Sequence, residues 1–513
     1  MLITLLVAFP VFMEVLDTTI ANVALPYIGG GLGVSQDEAS WVVTTYLVAN
    51  AVSLTASSYF ARRFGRKSYF LTCLLLFTIS SVLCGFAPSL PALLAARVLQ
   101  GLGGGGMVPV SQSIIADAFP PEKRGQGFAM FGIAVIVAPV VGPTLGGWIA
   151  DNISWQWCFL INGPVGVVAI LLISVMVHDS PAVVANRRRF IDERHGFDLI
   201  GFALVATFLG TLEITLDRGL EDDWFASRFI IVVASLCLAS FVLMIPWELR
   251  RRNPMIDLRM VATRQFGACF IFMLATGAIL ISTIQYLPQL VQQSFGYTAT
   301  MAGLVLTPGG LVTALIIPGI GKMTAKVQPR YMMAAGAAIT AFAMYDVTRL
   351  NSDSSFWFFS LSRIYLGFGL PLIFISITSA SYDGIRADQT DMASALINAA
   401  RNIGGSIGIS LSNNILAHRM QFHQNRMVEI VSASHPQYQI AMKQATAYFI
   451  SHGSPPLQAQ RQALALIGQQ LQLQAGFLAY IDVFWVLMLI SAAAVPLALT
   501  LRKIRLGGTG MMH

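Results

Sequence analysis

Charge is what this chain has least of. Of its 513 residues only 11% are Asp, Glu, Lys or Arg, against 55% hydrophobic, whereas a soluble domain carries about 25% charge. With a mean hydropathy of +0.68, the chain has too little polar surface to face water all round, which excludes a soluble enzyme or binding module. Cysteine is also scarce. Cys73, Cys84, Cys158, Cys237 and Cys269 lie in or beside apolar runs without paired spacing, so they read as small buried hydrophobes rather than metal ligands. No phosphate loop is present, because GLGGGG (Gly101–Gly106) lacks the Gly-Lys-Ser/Thr ending. Zinc motifs and nucleophile–base arrangements are missing too, so neither an enzyme, a metal nor a cofactor is expected. The apolar runs are long and continuous rather than alternating, which excludes a transmembrane barrel.

What remains is an all-α integral membrane protein. About fourteen runs reach the roughly 20 apolar residues that a spanning helix needs, the first at 2–25 and the last at 476–501. The first begins at Leu2 with no basic region before it, so no cleaved signal peptide is expected. The net charge of +7 comes from short basic clusters between runs. These set topology and favour anionic lipid headgroups; they are not a nucleic-acid signal. Alternate loops are basic: Arg62, Arg63, Arg66 and Lys67; Lys123 and Arg124; Arg187 to Arg189; Arg250 to Arg252; Lys322, Lys326 and Arg330; and the tail with Arg502, Lys503 and Arg505. An intervening loop is acidic, with Asp217, Glu221, Asp222 and Asp223. The positive-inside rule then puts both termini in the cytoplasm, which requires an even number of spans.

An internal echo suggests the architecture. Arg97, Gly101 and Gly103 in run four repeat as Arg363, Gly367 and Gly369 in run twelve. The expected division is a six-helix bundle over 1–178, an inserted pair with flanking loops over 179–260, and a second six-helix bundle over 261–513. Repeated halves around a central site mark alternating-access transporters. The outer connection 418–474 is long and rich in Gln and Ala. Its Leu464, Ile467 and Leu471 fall at helical spacing and a break is expected at Gly453–Pro456, so short amphipathic helices are expected.

Charges inside the runs carry the functional signal, because ionisable groups at membrane depth are tolerated mainly where they face a partner or a wet path. Glu14 and Asp17 are three apart on the first helix. Two such carboxylates cannot both carry charge cheaply in a low dielectric, which makes the pair a usable proton carrier. Arg97, in LAARVLQGLGGGG, is the expected fixed cation facing them across a wet interior. Asn22, Asn50, Gln100, Gln285, Gln289, Asn398, Arg401, Asn402 and Glu213 are expected around a substrate cavity, with Asn162 a further intramembrane polar group. Gly132, Pro139, Gly142, Pro143, Gly146 and Gly147 give run five a bare stripe and a kink, a hinge or a tight seal. The loop segment Arg62, Arg63, Gly65, Arg66 and Lys67 offers a latch onto helix-end carbonyls or acids. Trp148, Trp155, Trp157 and Phe159 read as an interfacial belt.

VLDTTIANVALP (Val15–Pro26), RVLQGLGGGG (Arg97–Gly106), the run Gly132–Gly147 and WQWCFLINGPVG (Trp155–Gly166) resemble the fourteen-span drug:proton antiporters of the major facilitator superfamily, EmrB type. LDRGLEDDWFAS (Leu216–Ser227) and the long outer connection narrow the resemblance to that type. It implies export of hydrophobic or amphipathic drugs across a bacterial inner membrane, driven by the proton gradient without a cofactor. A periplasmic adaptor and an outer-membrane channel are the implied partners. The resemblance puts the proton-linked acid on Asp17, its arginine on Arg97 and the antiporter motif on Gly132 to Gly147. The superfamily's usual acid after span two is Arg62 here, and its usual glycine is Ser58. Export of an endogenous amphiphile (a fatty acid, a bile-salt-like compound or a siderophore) fits the same fold, and a receptor or scaffold without transport is the rival from another class.

Overall fold

The computed structural model describes residues 2–502 except 121–123, 193–195, 252–253, 325, 352, 387–388 and 432–434. Lys123, Arg252, Lys503 and Arg505 of the basic clusters lie outside the described residues. No strand occurs among the described residues. The chain runs as α1 (Leu2–Leu32), α2 (Gln36–Phe64), α3 (Arg66–Gly85), α4 (Leu90–Ala118), α5 (Arg124–Asn152), the short α6 (Trp157–Leu160) leading into α7 (Asn162–Met176), α8 (Pro181–Asp192), α9 (Leu199–Arg218) and α10 (Arg228–Arg250). It continues with the short α11 (Leu258–Val261), α12 (Arg264–Phe295), α13 (Ala299–Met323), α14 (Pro329–Thr348), α15 (Phe356–Ser381), α16 (Thr390–Ile430), α17 (Pro436–Ser451) and α18 (Pro456–Leu499).

Every expected run lies in a helix. By length and composition, however, 11 of them can cross a membrane unaided, and 12 when the two arms of α5 count as one span. The other two, α14 and α16, are long enough but more polar. The physical reason is visible in α16, which carries Asn398, Arg401, Asn402, Asn413 and Asn414 on faces turned to other helices rather than to lipid. α5 bends by 41° between Pro139 and Val141, where Pro139 lacks a donor and the ring of Pro143 crowds the carbonyl four residues back.

The echo of run four in run twelve recurs as packing. A Cβ on Gly101 would meet Ala49 of α2 at 2.7 Å, and one on Gly367 would meet the backbone of Gly309 in α13 at 2.5 Å. Gly103 abuts Phe77 of α3, and Gly369 abuts Gly336 and Thr340 of α14. Each glycine pair lets the fourth helix of its set lie against the second and third. Between the two sets, α5 packs on α13 and α15, while α16 packs on α2 and α4. α9 lies against α2 and α16, and α10 sits outside it.

The outer connection departs from short separate helices. α16 runs unbroken to Ile430 and α18 starts at Pro456 and continues into the last span, leaving only α17 as a separate piece. No proline interrupts α16, and α18 carries one only at Pro496 after its first turn. The break at Gly453–Pro456 is present, with Gly453 at φ 92°. The packed face of α18 there is Ala459 and Ala463, while Leu464 is 55% exposed. Small residues win because they let α17 approach closely.

Candidate functional site

Asp17 and Arg97 meet directly. Arg97 Nη1 lies 2.7 Å from Asp17 Oδ2, and Gln100 Nε2 and Asn162 Nδ2 donate to Asp17 Oδ1 at 3.0 and 2.7 Å. Arg97 Nε donates to Val42 O at 3.0 Å, and its guanidinium sits 4.3 Å from the Tyr46 ring centroid and 5.4 Å from that of Phe159. Asp17 is 1% exposed and Arg97 0%. The expectation of a wet interior between them is therefore corrected: α1, α4 and α7 close around the pair. A charged pair this deep is complemented by three donors on the acceptor-only carboxylate and two aromatic faces on the cation, although Arg97 Nη2 is buried without a hydrogen-bond partner. Gln100, expected in a cavity, belongs to this cluster; it is three residues from Arg97 and so shares its face. The aromatic belt divides too: Trp148 and Trp157 are exposed, whereas Trp155 and Phe159 turn inward.

One turn earlier, Glu14 faces a different space. A cavity of about 720 Å³ lies between the two sets, within the range of drug-sized sites. Glu14, Asn22, Asn50, Glu213, Gln285 and Gln289 line it, as do Arg401 and Asn402. So do Pro139, Pro143 and Gly147 of the α5 stripe. Asn50 Nδ2 donates to Glu14 Oε1 at 2.9 Å, while Glu14 Oε2 is buried with no partner. Arg401 carries a buried Nη1 with no partner, and its charge interacts with that of Glu14. Glu213 accepts from Ser406 Oγ, which lies 2.9 and 2.7 Å from its two oxygens.

The cavity opens toward one end only. Its lining on α1 runs from Glu14 to Tyr27 and on α12 from Leu280 to Gln292, the halves of those helices remote from the basic loops. At the basic end the sets are shut. Arg66 Nε lies 2.8 Å from Asp391 Oδ1, and Nη1 binds Asp117. Phe128 stacks on Tyr382 with centroids 5.3 Å apart. Asn398, expected in the cavity, lies beneath it instead: its Nδ2 donates to Gln112 Oε1 at 2.7 Å, joining α16 to α4.

Of the expected latch, Arg66 reaches the opposite set. It also donates to Ser113 O at 3.3 Å, near the end of α4. Arg62 Nε bonds Ser58 O at 3.3 Å and its guanidinium lies 5.0 Å from the Phe190 ring. Arg63 O accepts from Arg187 Nε at 3.3 Å, and Lys67 Nζ donates to Ser174 O at 2.7 Å. Gly65 holds φ 92°, and a Cβ there would sit 2.8 Å from Asp179 Oδ2. In α5, Gly142 and Gly146 press on Thr19 and Ile20 of α1, while Gly132 faces Ile317 and Ile375 of the other set.

Three participants escaped the sequence reading. Asp391 and Asp117 are acids near a basic loop, a reversal of local charge that could have marked them. Ser406 carries no signal of its own.

A family model described as Major Facilitator Superfamily matches residues 7–409. The chain is 34% identical over 485 residues to the multidrug export protein EmrB of Haemophilus influenzae, covering 94% of this chain and 92% of that one. It is also 34% identical over 455 residues to the fatty acid resistance protein FarB of Neisseria gonorrhoeae, covering 88% and 87%. Among solved structures, the proton:xylose symporter XylE superposes with a TM-score of 0.58 at 14% identity, covering 96% of this chain and 95% of that one; at that identity the likeness speaks for the fold alone. The chain belongs to the major facilitator superfamily, a family of transporters and not enzymes, and within it to the drug transporters of EmrB type.

Proposed function

We propose that this transporter is a proton-coupled exporter of hydrophobic or amphipathic compounds across a bacterial inner membrane. In this reading the basic end and both termini are cytoplasmic, and the chain divides into two six-helix bundles with α9 and α10 inserted. The structure is then the outward-facing state. The observation that carries the proposal is Glu14: a buried carboxylate with one unpartnered oxygen, on the wall of a central cavity open to one side only. Glu14 exchanges the proton. Asp17 and Arg97, sealed off one turn further along α1, form the charge pair to which it is coupled. One charge moving through 100 mV releases about 2.3 kcal/mol, enough to sustain a roughly 50-fold substrate gradient.

Support for a periplasmic adaptor and an outer-membrane channel comes from the hairpin of α16, α17 and α18. It projects about 20 Å past the expected end of the span. Loss of adaptor co-purification when 418–474 is replaced by a short linker, with drug binding retained, is the expected result.

The central test is proton release from the purified protein as drugs are added. Wild type is expected to release protons and Glu14→Gln to bind drug without doing so. Drug binding by wild type with no proton movement would refute coupling and favour a receptor. A second reading, export of an anionic amphiphile, draws on the unpartnered Arg401 nitrogen in the cavity and on the fatty acid resistance named for FarB. Competition by long-chain fatty acids at lower concentrations than drugs would select it.

A further inference from the structure

α9 and α10 are the least buried of the spanning helices, with 28% and 22% of their apolar windows covered. A helix pair that served only as a lipid-facing spacer would have no use for an acid at membrane depth. Yet α9 holds Glu213 at 8% exposure. The reason lies in where α9 sits. It covers the seam between α2 and α16, and through that seam Glu213 reaches the wall of the central cavity.

The chemistry around Glu213 is incomplete. Its side-chain partner is Ser406, whose one hydroxyl hydrogen is shared among the two carboxylate oxygens and Asn402 O, which lies 3.1 Å from Ser406 Oγ. Among the described residues no lysine or arginine pairs with it. Asp217, one turn on, lines the same cavity and accepts from Thr44. Across the space, Glu14 Oε2 is nine-tenths buried and unpartnered. Three carboxylates therefore face the cavity, against the single arginine Arg401. Leu280, Ile281 and Ile284 of α12 give the cavity an apolar patch beside Gln285 and Gln289.

Resting on the exporter reading, we propose that Glu213 is a specificity-determining residue that holds the cationic group of an amphipathic substrate, so that the inserted pair is part of the substrate site. An apolar body lies on α12 while the positive end sits between Glu213 and Glu14, completing the hydrogen-bonding and charge that the protein leaves unmet.

The test uses the purified full-length protein and two probes of similar shape: tetraphenylphosphonium, a permanent cation, and triphenylphosphine oxide, which is neutral. Glu213→Gln keeps the size and the bond to Ser406. It is expected to raise the Kd for the cation roughly tenfold or more, the loss expected for a charge-assisted contact, and to leave the neutral probe within about twofold. Glu213→Asp is expected to recover part of the cation preference, and retained neutral binding reports that the variants are folded. Equal loss for both probes, no loss for either, or failure of wild type to bind the cation overturns the proposal. Proton release is read in the same samples: a Glu213-dependent cation preference without release supports the site while removing the antiport reading.

Discussion

Asp391→Asn isolates one of the contacts that shut the basic end. Arg66 and Asp117 both belong to the N-terminal set, so their bond persists when the sets separate. Of the Arg66 bonds, the one from Nε to Asp391 Oδ1, 2.8 Å long, crosses between sets. Both residues are buried here, Arg66 at 4% and Asp391 at 7% exposure. A charge-assisted bond contributes about 1.5–3 kcal/mol and a neutral one about 1. Asn keeps an acceptor at the same place, so the closed state loses about 0.5–2 kcal/mol and the equilibrium moves roughly 2- to 30-fold toward opening at this end. Nitroxide pairs at Ser68→Cys and Asp383→Cys, both on the surface at the basic end, read the separation by pulsed dipolar spectroscopy in a background without Cys237. The expected result is a growing long-distance population in Asp391→Asn and little change in Asp117→Asn. Identical distance distributions for wild type and Asp391→Asn, or an equal shift in Asp117→Asn, would refute the reasoning.

Other substitutions test other contacts. Asp17→Asn leaves Arg97 buried without its counter-charge, a loss of about 3–5 kcal/mol; thermal unfolding should show it, and adding Arg97→Gln should restore much of the stability. Unchanged melting in Asp17→Asn would show that the pair does not hold α1 to α4. Gly101→Ala places a methyl 2.7 Å from Ala49 Cβ and 3.0 Å from Asn50 N, which should destabilise by about 1–3 kcal/mol. Gly476→Ala meets nothing within 4 Å and should be neutral or stabilise by up to about 1 kcal/mol; similar melting of the two variants would count against the close packing of α2 on α4.

Apolar runs made the helices legible, and the cost of lone charges at depth made the pairing of Asp17 with Arg97 legible. What periodicity could not supply was the wall each residue faces. Glu14 and Asp17 are only about 60° apart around α1, yet that angle separates an open cavity from a sealed cluster. Depth was equally hidden: Asn398 and Asn402 share a face of α16, but one lies beneath the cavity floor, on Gln112, and the other in the wall. For Glu213 the sequence does not say which helices α9 covers, and so not by what route the side chain reaches the cavity. The outer connection misled through its leucines. Spacing suggested an apolar stripe at Leu464, whereas the helices pack through alanine, whose small size matters more than hydrophobicity where two backbones come close.

The position of α16 ties these sites together. Its 41 residues contain no proline, whereas α1, α4, α5, α12, α13 and α15 all do. Gly404 and Gly408 do not loosen it, because each presses on the α12 backbone, at Leu274 and Ala278. Along this one continuous helix lie Asp391 at the basic-end clamp, Arg401 and Ser406 in the cavity wall, and Arg419 bonded to Asp482 of α18 where the outer hairpin begins. Asp391 and Arg401 are ten residues apart, about 15 Å along the axis. A helix that moves as one rod cannot tilt at one of these points and stay still at the other. The hypothesis that follows is that breaking the Arg66–Asp391 contact changes the cavity wall as well as the clamp. Asp391→Asn should then alter drug affinity without touching any residue that lines the site, and an unaltered affinity alongside a shifted distance distribution would show that α16 bends.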